Sequence, residues 1–220
     1  MWSNFHTHST YCDGKSSPSE IVASADAQNM VSLGFSSHAP LPFQSHWCMK
    51  KEKLSDYLRE INHLKKKTSA LQIYCGLEVD YIPDKISPGD FKNHLDYTIG
   101  SIHFVDSFPD GRGWEIDGTH LSFKEGYEQI FKKDIRAVIA RYFELTREMI
   151  YKSCPTIIGH PDKIKIQNKF HPYFEESENW YRDEVLKTIQ TIQNSGAIVE
   201  VNTRGLYQKK SSTTYPSPWI

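Results

Sequence analysis

Several features are scarce in this chain of 220 residues, and each scarcity narrows what it can be. There are only four cysteines, Cys12, Cys48, Cys75 and Cys154, and no two form a CxxC pair, which fits a reduced, cytoplasmic compartment. The first residues show no charged segment followed by an apolar run, so no secretory leader is expected. No apolar stretch approaches the roughly 20 residues that a membrane span requires, so a soluble protein with no membrane partner is expected. Excess positive charge is missing as well. With 26 Lys and Arg against 27 Asp and Glu, the chain has no means of building the broad basic face that neutralises a duplex. Small anionic substrates need only local charge and stay open. Internal repeats, low-complexity tracts and Ser/Gly-rich linkers are absent too, so residues 1–220 read as a single domain with one sizeable core.

What is present is an alternation of short apolar runs with longer helical ones, the pattern of an α/β fold. The first strand ends in "NFHTH"; Ser17, Pro18 and Glu20 then fit N-cap, N1 and N3 of a capping box that opens a helix through about Met30. "VSLGFSSH" reads as the second strand, Lys51 to Lys67 as a helix and "LQIYCGLEVDYI" as the third strand. "SPGDFKNHL" reads as a short helix and "DYTIGSIHFV" as the fourth strand. From Asp106 to His120, "DSFPDGRGWEIDGTH" is too rich in Gly, Pro and Asp for regular structure, and loops of that length are usually functional or disordered. Helical patterns follow from about Phe123 to Ser153, then strand "TIIGH", a helix near Glu178 to Asn194 and strand "AIVEVNT". Six strand-plus-helix units suggest a barrel.

Five of the ten histidines, His6, His8, His38, His103 and His160, fall at the carboxyl ends of these strands, and Glu78 holds the matching place in "IYCGLEVD". His6 and His8 are two apart, so on a strand both leave the same face, as a chelating pair must. In a parallel barrel all these ends meet at one mouth, where barrel enzymes build their sites. A single strand-end histidine is more often a hydrogen-bonded core or rim residue than a ligand. Five in register, with Asp13 close behind, point to a metal cluster. Of the others, His63 and His94 read as solvated helix positions, while His46 and His120 lie in long loops able to cover the mouth and contact a substrate.

Taken in order, "HTHSTYCDG", "FSSHAP", "GLEVD", "GSIHFVD", "IGHPDK" and "VEVNTRG" resemble the polymerase and histidinol phosphatase superfamily, and within it the histidinol-phosphate phosphatases. The resemblance covers nearly the whole chain. It implies a distorted seven-stranded (β/α) barrel of TIM-like type holding two or three Zn, Mn or Fe ions. Carried over, it implies that His6 and His8 bind one ion, that Glu78 bridges it to another held by His103 and His160, and that Asp13 and His38 help bind the remaining one. Such enzymes carry a further strand with a D-x-H motif, and no DxH occurs downstream of Asn202. The sequence stops at "TYPSPWI", where Ser217 and Pro218 look like the cap and first residue of a helix. It therefore reads as a truncated form lacking the last strand-helix unit, or else as a variant whose missing ligands come from water or a partner.

Imidazole and carboxylate together suit Zn, Mn or Fe, and no cysteine stands at a matched position. Adjacent divalent ions make hydroxide available near neutral pH and hold the oxygens of an in-line displacement. The expected reaction is attack by a metal-bridging hydroxide on a small phosphate monoester. Uncatalysed hydrolysis of such esters is extremely slow, so strong charge stabilisation is needed. Arg204, just past the sixth strand, is the foremost candidate for a bidentate phosphate clamp, with pairing to a rim carboxylate as the lesser alternative. Arg112 and Lys163 are weaker candidates. Asp162 reads as a catalytic-site residue that orients His160 or passes a proton to the leaving alkoxide, orientation ranking first. The resemblance implies L-histidinol phosphate, an intermediate of histidine biosynthesis, as substrate. The alternatives are another phosphoester (a nucleotide, phosphotyrosine or a nucleic-acid end) or a metal-binding domain without turnover.

Overall fold

The computed structural model describes residues 2–67 and 70–220, and the chain groups into two compact units, Met1–Gly100 and Ser101–Ile220. In the first unit, β1 (Ser3–Asn4), β2 (Ser32–Phe35), β3 (Gln72–Asp80) and β4 (Tyr97–Ser101) lie side by side in that order. Parallel neighbours need crossovers, supplied by α1 (Pro18–Ala27) after β1 and α2 (Leu54–Lys67) after β2. The capping box forms as the sequence predicts: the Ser17 amide donates to the Glu20 carboxylate at 2.7 Å, and the Glu20 amide donates back to the Ser17 hydroxyl. The helix ends at Ala27, short of Met30, and Asn29 at φ 53° turns the chain into β2.

Register matters more here than strand length. Ser32 pairs with Gln72 and Phe35 with Cys75, always 40 residues apart, and an isolated bridge continues the same offset to pair His38 with Glu78. Beneath this ladder, Phe35, Tyr57, Ile61, Leu77 and Val79 are completely buried. Each such side chain contributes roughly 1.5–3 kcal/mol through lost water contact. Tyr57, Ile61 and Leu64 form the stripe by which α2 joins this core. The Tyr97 ring lies over Gly34 and Gly76, where a Cβ would come within 2.5 Å of it. Its hydroxyl donates to the carbonyls of Phe5 (2.6 Å) and Phe35 (2.9 Å), tying together the segments that carry His6 and His38.

The second unit contains the hairpin β5 (Phe104–Ser107) and β6 (Gly113–Glu115), helices α3 (His120–Gln129) and α4 (Ile135–Ser153), strand β7 (Ile157–Ile158), helix α5 (Asn179–Ser195), strand β8 (Ile198–Val199) and the short α6 (Arg204–Tyr207). β7 and β8 pair in parallel. Some expectations change. The segment from Asp106 to His120 is not structureless: it closes the antiparallel hairpin, with Gly111 at φ 87° in the turn and Trp114 and Ile116 buried against the core. His120 opens α3 and is not in a loop. The Ser217 hydroxyl, read from sequence as a helix cap, is instead bonded to Lys165 and Glu176. The helical patterns read over 123–153 form two helices, parted where Lys132 and Lys133 adopt positive φ and Asp134 caps the next helix by accepting from the Ala137 amide. No helix among the described residues is long and apolar enough to cross a membrane.

Helices α4 and α5 pack through a charged clasp: Arg147 donates to Glu184 at 3.0 Å and to the Thr188 hydroxyl at 2.9 Å. Burial alone would raise the Glu184 pKa, but hydrogen bonds from Lys187 and Arg147 outweigh it and hold it below the usual value. A carboxyl depressed on folding stabilises above its unfolded pKa, and the contribution is lost as pH falls through the folded value. Glu184→Gln is therefore expected to cost about 1 kcal/mol at pH 7. Denaturant titrations of both proteins across pH 7 to 3 check this. The gap between them should close below roughly pH 4, and a pH-independent gap would refute the linkage.

Candidate metal centre

In the first unit, β1 ends at Asn4, before the histidines, yet the chain stays extended beside β2. The Thr7 amide donates to the Ser36 hydroxyl (3.0 Å) and the Ser36 amide to the Thr7 carbonyl (2.9 Å). His6 and His8 consequently project to one side, their rings stacked with centroids 5.1 Å apart. The 40-residue register brings His38 and Glu78 to the same place. One oxygen, Glu78 Oε2, lies 3.0 Å from His6 Nε2, 3.1 Å from His8 Nε2 and 3.1 Å from His38 Nδ1. Glu78 is buried. The two Nε2 atoms of His6 and His8 are 3.2 Å apart. Nitrogens bound at 2.0–2.1 Å in a tetrahedral zinc site lie about 3.3 Å from each other, so this spacing suits a shared ion.

Asp13 reaches the opposite edge of His8, with Oδ1 2.6 Å from Nδ1 and 4.0 Å from His38 Nε2. His8, Asp13 and His38 each offer an atom within 4.8 Å of the others, a spacing able to hold an ion. Asp13 gets there because the loop doubles back: a Cβ on Gly14 would fall 2.4 Å from the Ser9 nitrogen and 2.5 Å from the His8 carbonyl carbon, so only glycine fits. Burial alone would lower the His8 pKa, but Asp13, Cys12 and Glu78 outweigh it and hold the imidazole well above its usual value. A cation bound at His8 would have to displace the imidazole proton. The Trp47 ring lies against His38, with centroids 4.5 Å apart, and the neighbouring His46 is exposed. Asp80, two residues past Glu78 on β3 and likewise buried, escaped the sequence reading, although it closes the motif "GLEVD".

The second unit places His103 and His160 together, ring centroids 5.1 Å apart, both buried. His160 lies two residues beyond β7 at φ 25°, a conformation that costs of order 1–3 kcal/mol for a residue with a side chain. Three bonds hold it: its amide donates to Glu200 Oε1 (2.7 Å), and its carbonyl accepts from the Lys163 amide (2.9 Å) and the Tyr142 hydroxyl (3.3 Å). Lys163 Nζ is 2.8 Å from Asp117 Oδ2 and 3.3 Å from His103 Nε2. Burial pushes the Asp117 carboxyl up, but Lys163 and His103 overturn this and hold it far below the usual range. Glu200 was not singled out from sequence, and only its place in "VEVNTRG" could have drawn attention to it; Asp117 belongs to the acidic residues of the long segment that the sequence reading found compatible with a substrate contact. Asp162 Oδ2 bonds Lys165 (2.7 Å) and the Ser217 amide (2.8 Å). Arg204 is exposed at the start of α6, its amide donating to Asn202.

Residues 4–204 match the PHP domain. The chain belongs to the PHP domain family. Among curated relatives of this PHP domain are two named probable histidinol-phosphatase. That of Deinococcus radiodurans is 26% identical over 97% of this chain and 77% of its own length. That of Schizosaccharomyces pombe is 25% identical over 96% and 72%. Among solved structures, hisK of Listeria monocytogenes superposes with a TM-score of 0.82 at 20% identity, covering 98% of this chain and 87% of that one. Histidinol phosphate phosphatase of Lactococcus lactis, complexed with Zn, L-histidinol and phosphate, gives 0.67 at 20% identity, covering 94% and 75%. The α/β fold anticipated from the strand-helix alternation is thus the fold of this PHP domain.

Proposed function

We propose that this PHP domain is a metal-dependent phosphomonoesterase that hydrolyses L-histidinol phosphate to L-histidinol and phosphate, acting as one domain in the cytoplasm. The observation that carries the reading is the convergence of three imidazole nitrogens on Glu78 Oε2 at 3.0–3.1 Å. A carboxylate buried to satisfy hydrogen bonding needs no such crowd of neutral-capable bases, whereas two or three ions of Zn, Mn or Fe need this donor set. The names of the curated relatives, and the zinc, histidinol and phosphate in the Lactococcus lactis structure, support the substrate. The free thiols of all four cysteines agree with a reducing compartment.

His6, His8, Asp13, His38 and Glu78 of the first unit and His103 and His160 of the second are the proposed metal ligands. Bound divalent ions supply an activated water and neutralise charge on the phosphoryl oxygens. The chain's own part is to hold the imidazoles in place, to which the β2–β3 register and the hydrogen bond from the His160 amide to Glu200 contribute. Arg204, exposed directly after β8, is the proposed phosphate clamp, and His46, beside the tryptophan that covers His38, the proposed substrate contact. The test is phosphate release by metal-loaded protein from histidinol phosphate, a chromogenic monoester, a nucleotide and a phosphorylated nucleic-acid end. Histidinol phosphate is expected to be turned over fastest, with Arg204→Ala lowering kcat/KM roughly tenfold or more. No release from histidinol phosphate, or preference for the nucleic-acid end, would overturn the assignment.

A further inference from the structure

Three cations lie in the segments that the sequence marks as phosphate candidates, and their surroundings differ. Arg112 is exposed, bonded to Asp110 at 2.7 Å and stacked on Phe108. Arg204 is exposed on α6. Lys163 stands beside a strand-end histidine, 3.3 Å from His103 Nε2, and its side chain is only 18% exposed. Its backbone is fixed as well, the Lys163 amide donating a hydrogen bond to the His160 carbonyl. Asp117, at 2.8 Å, pairs with the ammonium and holds it in place.

We propose that Lys163, positioned by Asp117, is a phosphate-binding residue beside His103. The ammonium is balanced by one carboxylate, and the two neighbouring imidazoles would add the charge of any cation they hold, so with metal bound the neighbourhood would be positive and a small dianion would complement it. An ammonium is a compact point charge with rotatable donors, able to turn from one oxygen acceptor to another without moving its stem. Arg204 approaches phosphate from solvent, whereas Lys163 reaches it from the half-buried side, next to the histidines. The inference rests on the phosphomonoesterase reading only in taking the anion to be phosphate.

The experiment is calorimetric titration of inorganic phosphate into the zinc-loaded full chain, for the wild type, Lys163→Met, Lys163→Arg and Asp117→Asn, with metal content and melting temperature recorded for each. Lys163→Met is expected to weaken phosphate binding roughly ten- to a hundredfold at unchanged metal content, with Lys163→Arg recovering part of it. Asp117→Asn should weaken binding severalfold at an unchanged melting temperature, as a positioning residue would. Absence of phosphate binding in the wild type, or equal affinity in Lys163→Met, overturns the proposal. So does a gain of one metal equivalent in Lys163→Met, which would make the ammonium a stand-in for an ion. Hydrolysis is scored separately: protein that binds phosphate through Lys163 yet cleaves no monoester contradicts the proposed function and not this inference.

Discussion

Glu78→Gln is expected to lose at least one metal equivalent and to reduce turnover of histidinol phosphate roughly a thousandfold or more, with the fold retained. Glutamine keeps the volume at a site that is fully packed, so core disruption is not the reason. What changes is that a charged oxygen, reached by His6, His8 and His38 at 3.0–3.1 Å, becomes neutral. The three imidazoles then lack the anion that complements a divalent ion. Two measurements decide the case together: elemental analysis of the purified protein, and the rise in melting temperature on adding zinc. Metal present at a thousand times its dissociation constant stabilises the wild type by about 4 kcal/mol, and that response should shrink in the variant. His63→Ala, on the exposed face of α2, serves as the histidine control. If Glu78→Gln kept its metal and its rate within twofold, Glu78 would be only a structural counter-charge, and the convergence of imidazoles would need another explanation.

The parts of the site that could be read from sequence are those set by local pattern. His38 and Glu78 end strands whose apolar runs are unmistakable, and parallel pairing then brings them together with no further information. The Ser17 capping box is likewise written within four residues. The contacts that were not legible are long-range or depend on backbone shape. Glu200 grips the His160 amide from 40 residues away, and nothing in either segment announces that His160 will need support at φ 25°. The hairpin of β5 and β6 was hidden because Gly, Pro and Asp dominate its composition, while the residues that decide its path, Trp114 and Ile116, are few and only reveal themselves by burial. A composition argument counts residues; packing weighs them by the area they remove from water.

Asp162 is where the sequence reading and the geometry can be set against each other. Read as a proton shuttle or an orienter of His160, Asp162→Asn should abolish turnover and leave stability nearly intact. The structure surrounds it differently. Its Oδ2 accepts from Lys165 at 2.7 Å and from the Ser217 amide at 2.8 Å, while Lys165 also donates to the Thr214 carbonyl and bonds the Ser217 hydroxyl. Ser217 passes the connection on to Glu176 at 2.6 Å, and Trp219 joins there at 2.8 Å. Asp162, Lys165 and Ser217 are all buried. Removing one member of such a pair strands an uncompensated charge, typically at about 3–5 kcal/mol. Lys165→Met is therefore expected to lower the melting temperature by roughly 6–12 °C, given the entropy of a chain of this size. Burial already pushes the Asp162 pKa up against the pull of Lys165, so loss of the lysine leaves a carboxyl that takes up a proton, which sets the cost toward the lower end of that range. The double variant Asp162→Leu/Lys165→Met removes both charges and should recover much of the loss, because a well-packed apolar pair replaces a buried ionic one at little net cost. Thermal melts and kcat/KM of the two single variants and the double separate the readings. Activity that tracks stability, and returns in the double variant, makes Asp162 the centre of a clasp that fastens residues 214–219 to the loop carrying His160. Activity that stays lost in a stable double variant makes it a catalytic carboxyl.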